Sequence, residues 1–290
     1  MNLKKELEVA KRAAFAAGKK ILEVYNSEDF QVRFKDEKEE APVALADRLS
    51  NIELCRILHT EFPEYGILSE EVLEENVLEE LPSLKDALEN WRGREFSWII
   101  DPLDGTKYFV KKSGKFGVQI GLVHKGKPVL GVNYYPVEKL LYFATKGKGT
   151  FLQKEGETLK KLSTSSRANF QELIIVSSKK IPENLENLIK NENLPEPLRV
   201  DGAGLKICKI AEGEGDLYIL IKQTSPTGVS IWDICSCASI LEEAGGKITD
   251  LYGEPINFFQ EHPELRRGAI ASNGRISHKE ISKFIEKYIF

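Results

Sequence analysis

The segment Trp98-Ile99-Ile100-Asp101-Pro102-Leu103-Asp104-Gly105-Thr106 runs from an apolar stretch into two carboxylates three residues apart, then closes on a glycine and a hydroxyl. Pro102 has no N–H and resists continuing a strand, so the chain is expected to turn just after Asp101. Both acids are then presented where a strand ends, and oxygen ligands gathered at a turn suit Mg²⁺. Gly105 lets the backbone approach a ligand closely, and the N–H groups of Gly105 and Thr106 can face an anion. One short loop would thus hold a metal and a phosphate. Asp, Pro and Gly also favour ordinary surface turns, so the loop alone does not decide the matter.

Other segments decide it. Leu68-Ser69-Glu70-Glu71 lies upstream; Ser230-Ile231-Trp232-Asp233, followed by Leu241-Glu242-Glu243-Ala244-Gly245-Gly246-Lys247, lies downstream. In this order, and over nearly the whole chain, they resemble the signatures of the Mg²⁺-dependent, lithium-sensitive phosphatases related to inositol monophosphatase. Phosphomonoester hydrolysis is mainly an electrostatic task, which two metals about 4 Å apart perform well. The resemblance implies two or three Mg²⁺ ions per site. Glu70, Asp101 and the Leu103 carbonyl would bind the first; Asp101 would bridge to a second, completed by Asp104 and Asp233. Asp233 also reads as a first-turn helix acid. Glu71 is expected to support the loop or reach the metals through water. Thr106 would pair with Asp47 to orient and deprotonate the attacking water. Asp47 sits in Pro42-Val43-Ala44-Leu45-Ala46-Asp47, where Ala44 replaces the family's usual Thr. The missing hydroxyl removes a supporting hydrogen bond and no metal ligand.

Two further segments bear on the substrate. Gly105-Thr106-Lys107-Tyr108-Phe109 and Gly202-Ala203-Gly204-Leu205-Lys206-Ile207-Cys208 resemble the 3'(2'),5'-bisphosphate nucleotidase branch. That branch implies release of the 3'-phosphate of 3'-phosphoadenosine 5'-phosphate. Asp104, Gly105, Thr106 and Asp233 would meet the phosphate that is cleaved. Lys206, at a glycine-rich helix start, would bind the one retained. The bland reading makes Lys206 a solvent-facing helix lysine. Ser178-Lys179-Lys180 stands where the branch carries an Arg-Ser-His-like stretch, so an inositol monophosphatase, or a dual inositol monophosphatase/fructose-1,6-bisphosphatase, stays open. A non-catalytic phosphate-binding regulator is a more remote alternative, since pure binding would not need the full acid set.

These residues must be positioned by a chain of 290 residues with formal charge −4, 41% hydrophobic and 30% charged. That balance excludes general nucleic-acid affinity, which needs concentrated Lys and Arg. No stretch approaches the roughly 20 apolar residues of a membrane span. The start, Met1-Asn2-Leu3-Lys4-Lys5-Glu6, does not resemble a signal peptide. The four cysteines form no C-x-x-C pair, and Cys235 and Cys237 point apart on an expected helix; buried thiols in a reducing cytoplasm are expected. The partner is a small phosphate ester, and a homodimer is left open. Residues 2–25 carry one apolar helical face, and a second helix spans about Ala46–Phe62. A strand over Ile67–Ser69 delivers Glu70, and hairpins follow Asp101. A strand is expected over Asp216–Lys222 and a helix over Trp232–Ala244. The reading is an N-terminal half, 1–160, with most metal ligands, and a C-terminal half, 161–290, with Lys206 and Asp233, packed as one rigid unit. The fold implied by the resemblance is a mixed α+β and α/β five-layered αβαβα sandwich.

Overall fold

The computed structural model describes residues 1–27, 41–221 and 229–289. Helices α1 (Lys4–Tyr25) and α2 (Pro42–Glu61) pack together. On α1, Val9, Ala10, Ala13, Ala14, Ala17 and Ile21 are buried, the 3.6-residue spacing of an inward stripe. Helix α2 begins four residues earlier than expected, because Pro42 occupies its first turn, where a missing N–H is harmless. Asp47 therefore lies inside the helix and is buried.

Behind these helices stands a seven-stranded sheet in sequence order: β1 (Gly66–Ser69), β2 (Phe96–Asp104), β3 (Gly117–His124), β4 (Lys127–Tyr135), β5 (Leu140–Thr145), β6 (Gly149–Lys154) and β7 (Lys160–Leu162). β1 and β2 run parallel and the remaining neighbours antiparallel. Two short helices, α3 (Glu75–Glu80) and α4 (Pro82–Glu89), join β1 to β2. The strands alternate, as a sheet covered on both faces must. Trp98, Ile100, Ile120 and Val132 pack toward α1 and α2, whereas Ile99, Val123, Tyr142 and Ala144 face the other way.

That second face receives α7 (Ala203–Ala211) and α8 (Ile231–Glu243); the five-residue α5 (Thr106–Val110) and α6 (Glu183–Asn191) precede them in the chain. Beyond α7 and α8 lies a smaller sheet in which β12 (Ala269–Ser272) sits between β10 (Leu217–Leu220) and β11 (Lys247–Thr249). The short parallel pair β8 (Val176–Ser177) and β9 (Leu198–Arg199) adjoins it through the Ile175–Leu217 bridge. α6 and α9 (His278–Ile289) close the outer face, with Leu185, Leu188, Ile281 and Ile285 on Ile175, Ile219 and Ile270. The layers are α, β, α, β, α, as expected. β10 ends at Leu220; Lys222, the last residue of the strand expected there, lies outside the described residues. All four cysteines are buried free thiols.

One packing detail positions the functional end of α8. Gly121 and Gly131 are cross-strand partners, and Gly131 also pairs with Ala144, so small residues cross three strands in a row. Helix α8 lies in this trough so closely that a Cβ on Gly131 would stand 2.1 Å from the Ser236 carbonyl oxygen. That contact is backbone and cannot rotate away. Gly131→Ala should therefore destabilise the fold by about 1–3 kcal/mol, the usual overpacking penalty. Urea unfolding checks it, with an unchanged midpoint as the contrary result.

Candidate active site

Regular strand geometry would put Asp101 and Asp104 on opposite faces, since side chains alternate with a period of two. The structure avoids this with a bulge. Asp101 pairs with Gln119 and Asp104 with Gly117, so β2 spends one residue more than β3 between them. Pro102, which cannot donate to a ladder, sits in the bulge; its carbonyl accepts the Ser50 hydroxyl at 2.7 Å. Both acids consequently reach one pocket. Asp101 Oδ1 accepts the Leu103 N–H at 2.9 Å, which fixes its carboxylate at the turn. Gly105, at φ +88°, reverses the chain into Thr106, and a Cβ there would meet the Lys115 carbonyl at 2.8 Å.

The other acids come from distant elements. Glu70 follows β1, and its N–H donates to the Ile100 carbonyl at 3.2 Å, so the β1–β2 pairing sets its position beside Asp101. Ser69 and Asn51 brace this exit, with the serine hydroxyl donating to Asn51 at 2.7 Å and the Asn51 amide donating to the Glu71 carbonyl at 3.0 Å. Asp233 stands in the first turn of α8. It accepts the Ser230 N–H at 2.6 Å in a reciprocal capping box, so the helix-acid reading holds as well as the pocket one. Glu70, Asp101, Leu103, Asp104, Gly105, Thr106 and Asp233 line a pocket of about 240 Å³.

Charge is the dominant property of this pocket. Burial raises the Asp101 carboxyl well above its ordinary range, and the charges of Glu70, Asp104, Asp233 and Asp47 push the same way. Burial raises Asp233 to about 8, against the capping N–H. Asp104 is raised by burial as well, opposed by the Gly204 N–H, which donates at 3.2 Å, and by Lys206. Glu70 is raised by burial, while its hydrogen bond with Asp101 works the other way. Asp47 is pushed to about 8 by burial and by Glu71 and Glu70; its Oδ1 is buried with no hydrogen-bond partner, Thr106 included. Carboxylates raised together by lost hydration and mutual repulsion are relieved by a cation. The donors are all oxygen, which suits a hard divalent ion. Among the described residues no three acidic, His or Cys side chains already converge as a ready cage. Mg²⁺ does not require one, because it keeps several waters and is held by one or two carboxylates plus phosphate oxygens.

A second hollow of about 730 Å³ opens beside the acids and shares Asp104, Gly105, Ala203 and Tyr218 with their pocket. Five lysines line it: Lys107, Lys111, Lys179, Lys180 and Lys206. Lys206 is buried, contrary to the exposure usual for lysine, with Nζ 3.5 Å from the Tyr218 hydroxyl and 4.8 Å above its ring. Burial lowers it to about 8, against the pull of Asp104 and Asp201. The first turn of α7 is already engaged by Asp104 through Gly204, so a phosphate here would meet the lysine side chain and not a free helix end. Lys179 and Lys180 stand out in sequence only as a departure from the expected pattern, yet both line the cleft. Tyr218 gave no sequence signal, because a tyrosine in an apolar strand reads as core.

The sequence model of the inositol monophosphatase family matches residues 2–289. The 3'(2'),5'-bisphosphate nucleotidase CysQ of Salmonella typhimurium is 30% identical over 262 residues, covering 90% of this chain and 97% of that protein. Among solved structures, CysQ from Bacteroides thetaiotaomicron superposes with a TM-score of 0.73 at 28% identity, covering 94% of this chain and 99% of that one. The inositol monophosphatase from Anabaena gives 0.73 at 26% identity, covering 99% and 98%.

Proposed function

Because the chain belongs to the inositol monophosphatase family, we propose that it is a Mg²⁺-dependent phosphatase that removes the 3'-phosphate of a 3'(2'),5'-bisphosphate nucleotide, foremost 3'-phosphoadenosine 5'-phosphate. The observation that carries this reading is the junction of a pocket whose charged groups are all carboxylates with a lysine-lined cleft. A substrate with one phosphate to cleave and another to keep needs both environments side by side. The cleft volume falls in the range of small-molecule sites, roughly 300–1,000 Å³. The name carried by the Salmonella relative agrees with this substrate.

In this mechanism Glu70, Asp101, Asp104, Asp233 and the Leu103 carbonyl would hold Mg²⁺. When bound, the ions supply activation of the attacking water and neutralisation of charge on the phosphoryl and departing oxygens. The chain's own residues do the rest. Leu103 N–H locks the Asp101 carboxylate in place. Thr106 orients the water and passes a proton toward Asp47. The water oxygen bonds to phosphorus as the bond from phosphorus to the 3'-oxygen breaks. The departing 3'-oxygen takes a proton from a neighbouring water, and the proton passed to Asp47 is released to solvent, giving the nucleoside 5'-phosphate and inorganic phosphate. Lys206 holds the retained phosphate.

Asp104→Asn keeps the shape and removes one charge, so turnover should fall at least 10²-fold, roughly the loss on removing one such electrostatic group. Phosphate release in Mg²⁺ and in chelator measures this; full activity in either the variant or the chelator contradicts the role of the acids. Lys206→Met retains the stem and deletes the charge. Losing a charged hydrogen bond to the retained phosphate, about 1.5–3 kcal/mol, should raise KM for 3'-phosphoadenosine 5'-phosphate by roughly ten- to hundredfold. Hydrolysis of inositol 1-phosphate should hardly change. Equal losses on both substrates would make Lys206 structural, and a wild-type preference for inositol 1-phosphate would favour the monophosphatase reading.

A further inference from the structure

A second cavity, of about 340 Å³, lies at the opposite end of α8 from Asp233 and shares no residue with either hollow of the active site. Its walls are apolar: Val129, Ala238, Ile248 and Phe258 are all buried core residues that reach its surface. Three lysines from separate segments stand around it, Lys127 at the start of β4, Lys146 in the turn after β5 and Lys247 at the start of β11. None of the three makes an ion pair with a described acid within 4.0 Å. Of the two glutamates at the cavity, Glu243 is occupied, accepting the N–H groups of Gly147 and Gly149 at 2.7 and 2.8 Å. Glu242, which Lys146 and Lys247 act on electrostatically, and Glu243 together offset two of the three lysine charges, so the mouth keeps one positive charge in excess. Ser239 also lines the cavity. A mid-helix serine ordinarily returns its hydroxyl to a carbonyl one turn back, but the Ser239 hydroxyl is buried with no hydrogen-bond partner.

We propose that this cavity is a binding site for a small amphiphilic anion: a compact apolar body against Val129, Ile248 and Phe258, with one anionic group at the lysines. An apolar body alone leaves the unpaired lysines and the serine hydroxyl unused. An inorganic anion alone leaves the apolar walls wet. Neither fits as well as a molecule carrying both parts. The volume matches a body of modest size, within the lower range of ligand sites. The site is separate from the catalytic one, so its occupancy does not depend on the identity of the phosphate ester hydrolysed.

Backbone amide NMR of the whole chain tests this with three probes: hexanoate, hexylamine and sulfate. Hexanoate should produce saturable shifts at Val129, Ser239, Ile248 and Phe258 without shifting Asp104 or Thr106. Hexylamine, with the same body and opposite charge, and sulfate, with charge and no body, should not. Reversing two exposed charges, Lys127→Glu with Lys247→Glu, should weaken hexanoate binding by about tenfold, the modest scale of exposed charge pairs. Lys146→Glu should act in the same direction and serves as the independent variant. Equal response to hexylamine, saturable shifts centred elsewhere, no saturable response, or unaltered affinity in the charge-reversed chains would each overturn the proposal.

Discussion

Four carboxylates at one pocket repel one another, and burial removes the water that would otherwise screen them. A like-charge cluster of this kind destabilises a fold unless protons or cations neutralise it. The raised positions of Asp101, Asp104, Asp233 and Glu70 express that cost. Among the described residues the only lysine buried at the site, Lys206, is itself lowered by its burial and cannot balance four acids. Much of the local architecture exists to hold this unfavourable arrangement together. The β2 bulge brings two acids to one face, the β1–β2 pairing supplies Glu70, and the capping box fixes Asp233. The glycine trough under α8 ties that capping box to the large sheet. A cluster retained at such expense is a functional feature, since the same fold would gain stability by losing it.

In the proposed mechanism the acid pocket and the lysine cleft divide the labour on a bisphosphate. One concentrates negative charge and would recruit a cation; the other gathers lysines and would recruit an anion. Asp104 stands on their boundary, lining both hollows and receiving the Gly204 N–H from α7. Its position ties the acid pocket to the helix that carries Lys206. Burial lowers Lys206, and in the proposed mechanism an incoming phosphate would supply the countercharge that the protein leaves partly unmet.

The sequence made Asp101 and Asp104 legible because they sit with Leu103, Gly105 and Thr106 in one short stretch, and such motifs survive without a structure; Glu70 and Asp233 were found only through their own separate segments. Helix faces were also readable, as α1 shows with its alanine stripe. Other features depend on contacts between distant segments. The bulge requires the register of β3 against β2, which no local pattern encodes. Helix α2 starts four residues before the expected position: Val43 and Leu45 pack against the core within it, and Pro42 fixes the first turn, which the apolar pattern alone does not mark. Burial of Lys206 contradicts the habit of its residue type and follows only from α7 packing beside Tyr218. Lys179 and Lys180 appeared as a departure from a pattern, and their common cleft with Lys107 and Lys111 emerges only in three dimensions. The cavity at the far end of α8 is assembled from five separate stretches and had no sequence signature.

The central claim is that a divalent cation neutralises the acid cluster, and equilibrium unfolding with and without Mg²⁺ tests it most directly. A ligand that binds only the folded state stabilises it by about 2.7 kcal/mol at a hundredfold excess over its Kd. Urea unfolding of the chain at saturating Mg²⁺ should accordingly show a higher midpoint than in chelator, and Asp101→Asn should abolish most of that difference while raising the midpoint in chelator. Identical midpoints in Mg²⁺ and chelator would contradict the account, as would a Mg²⁺ effect that Asp101→Asn leaves intact.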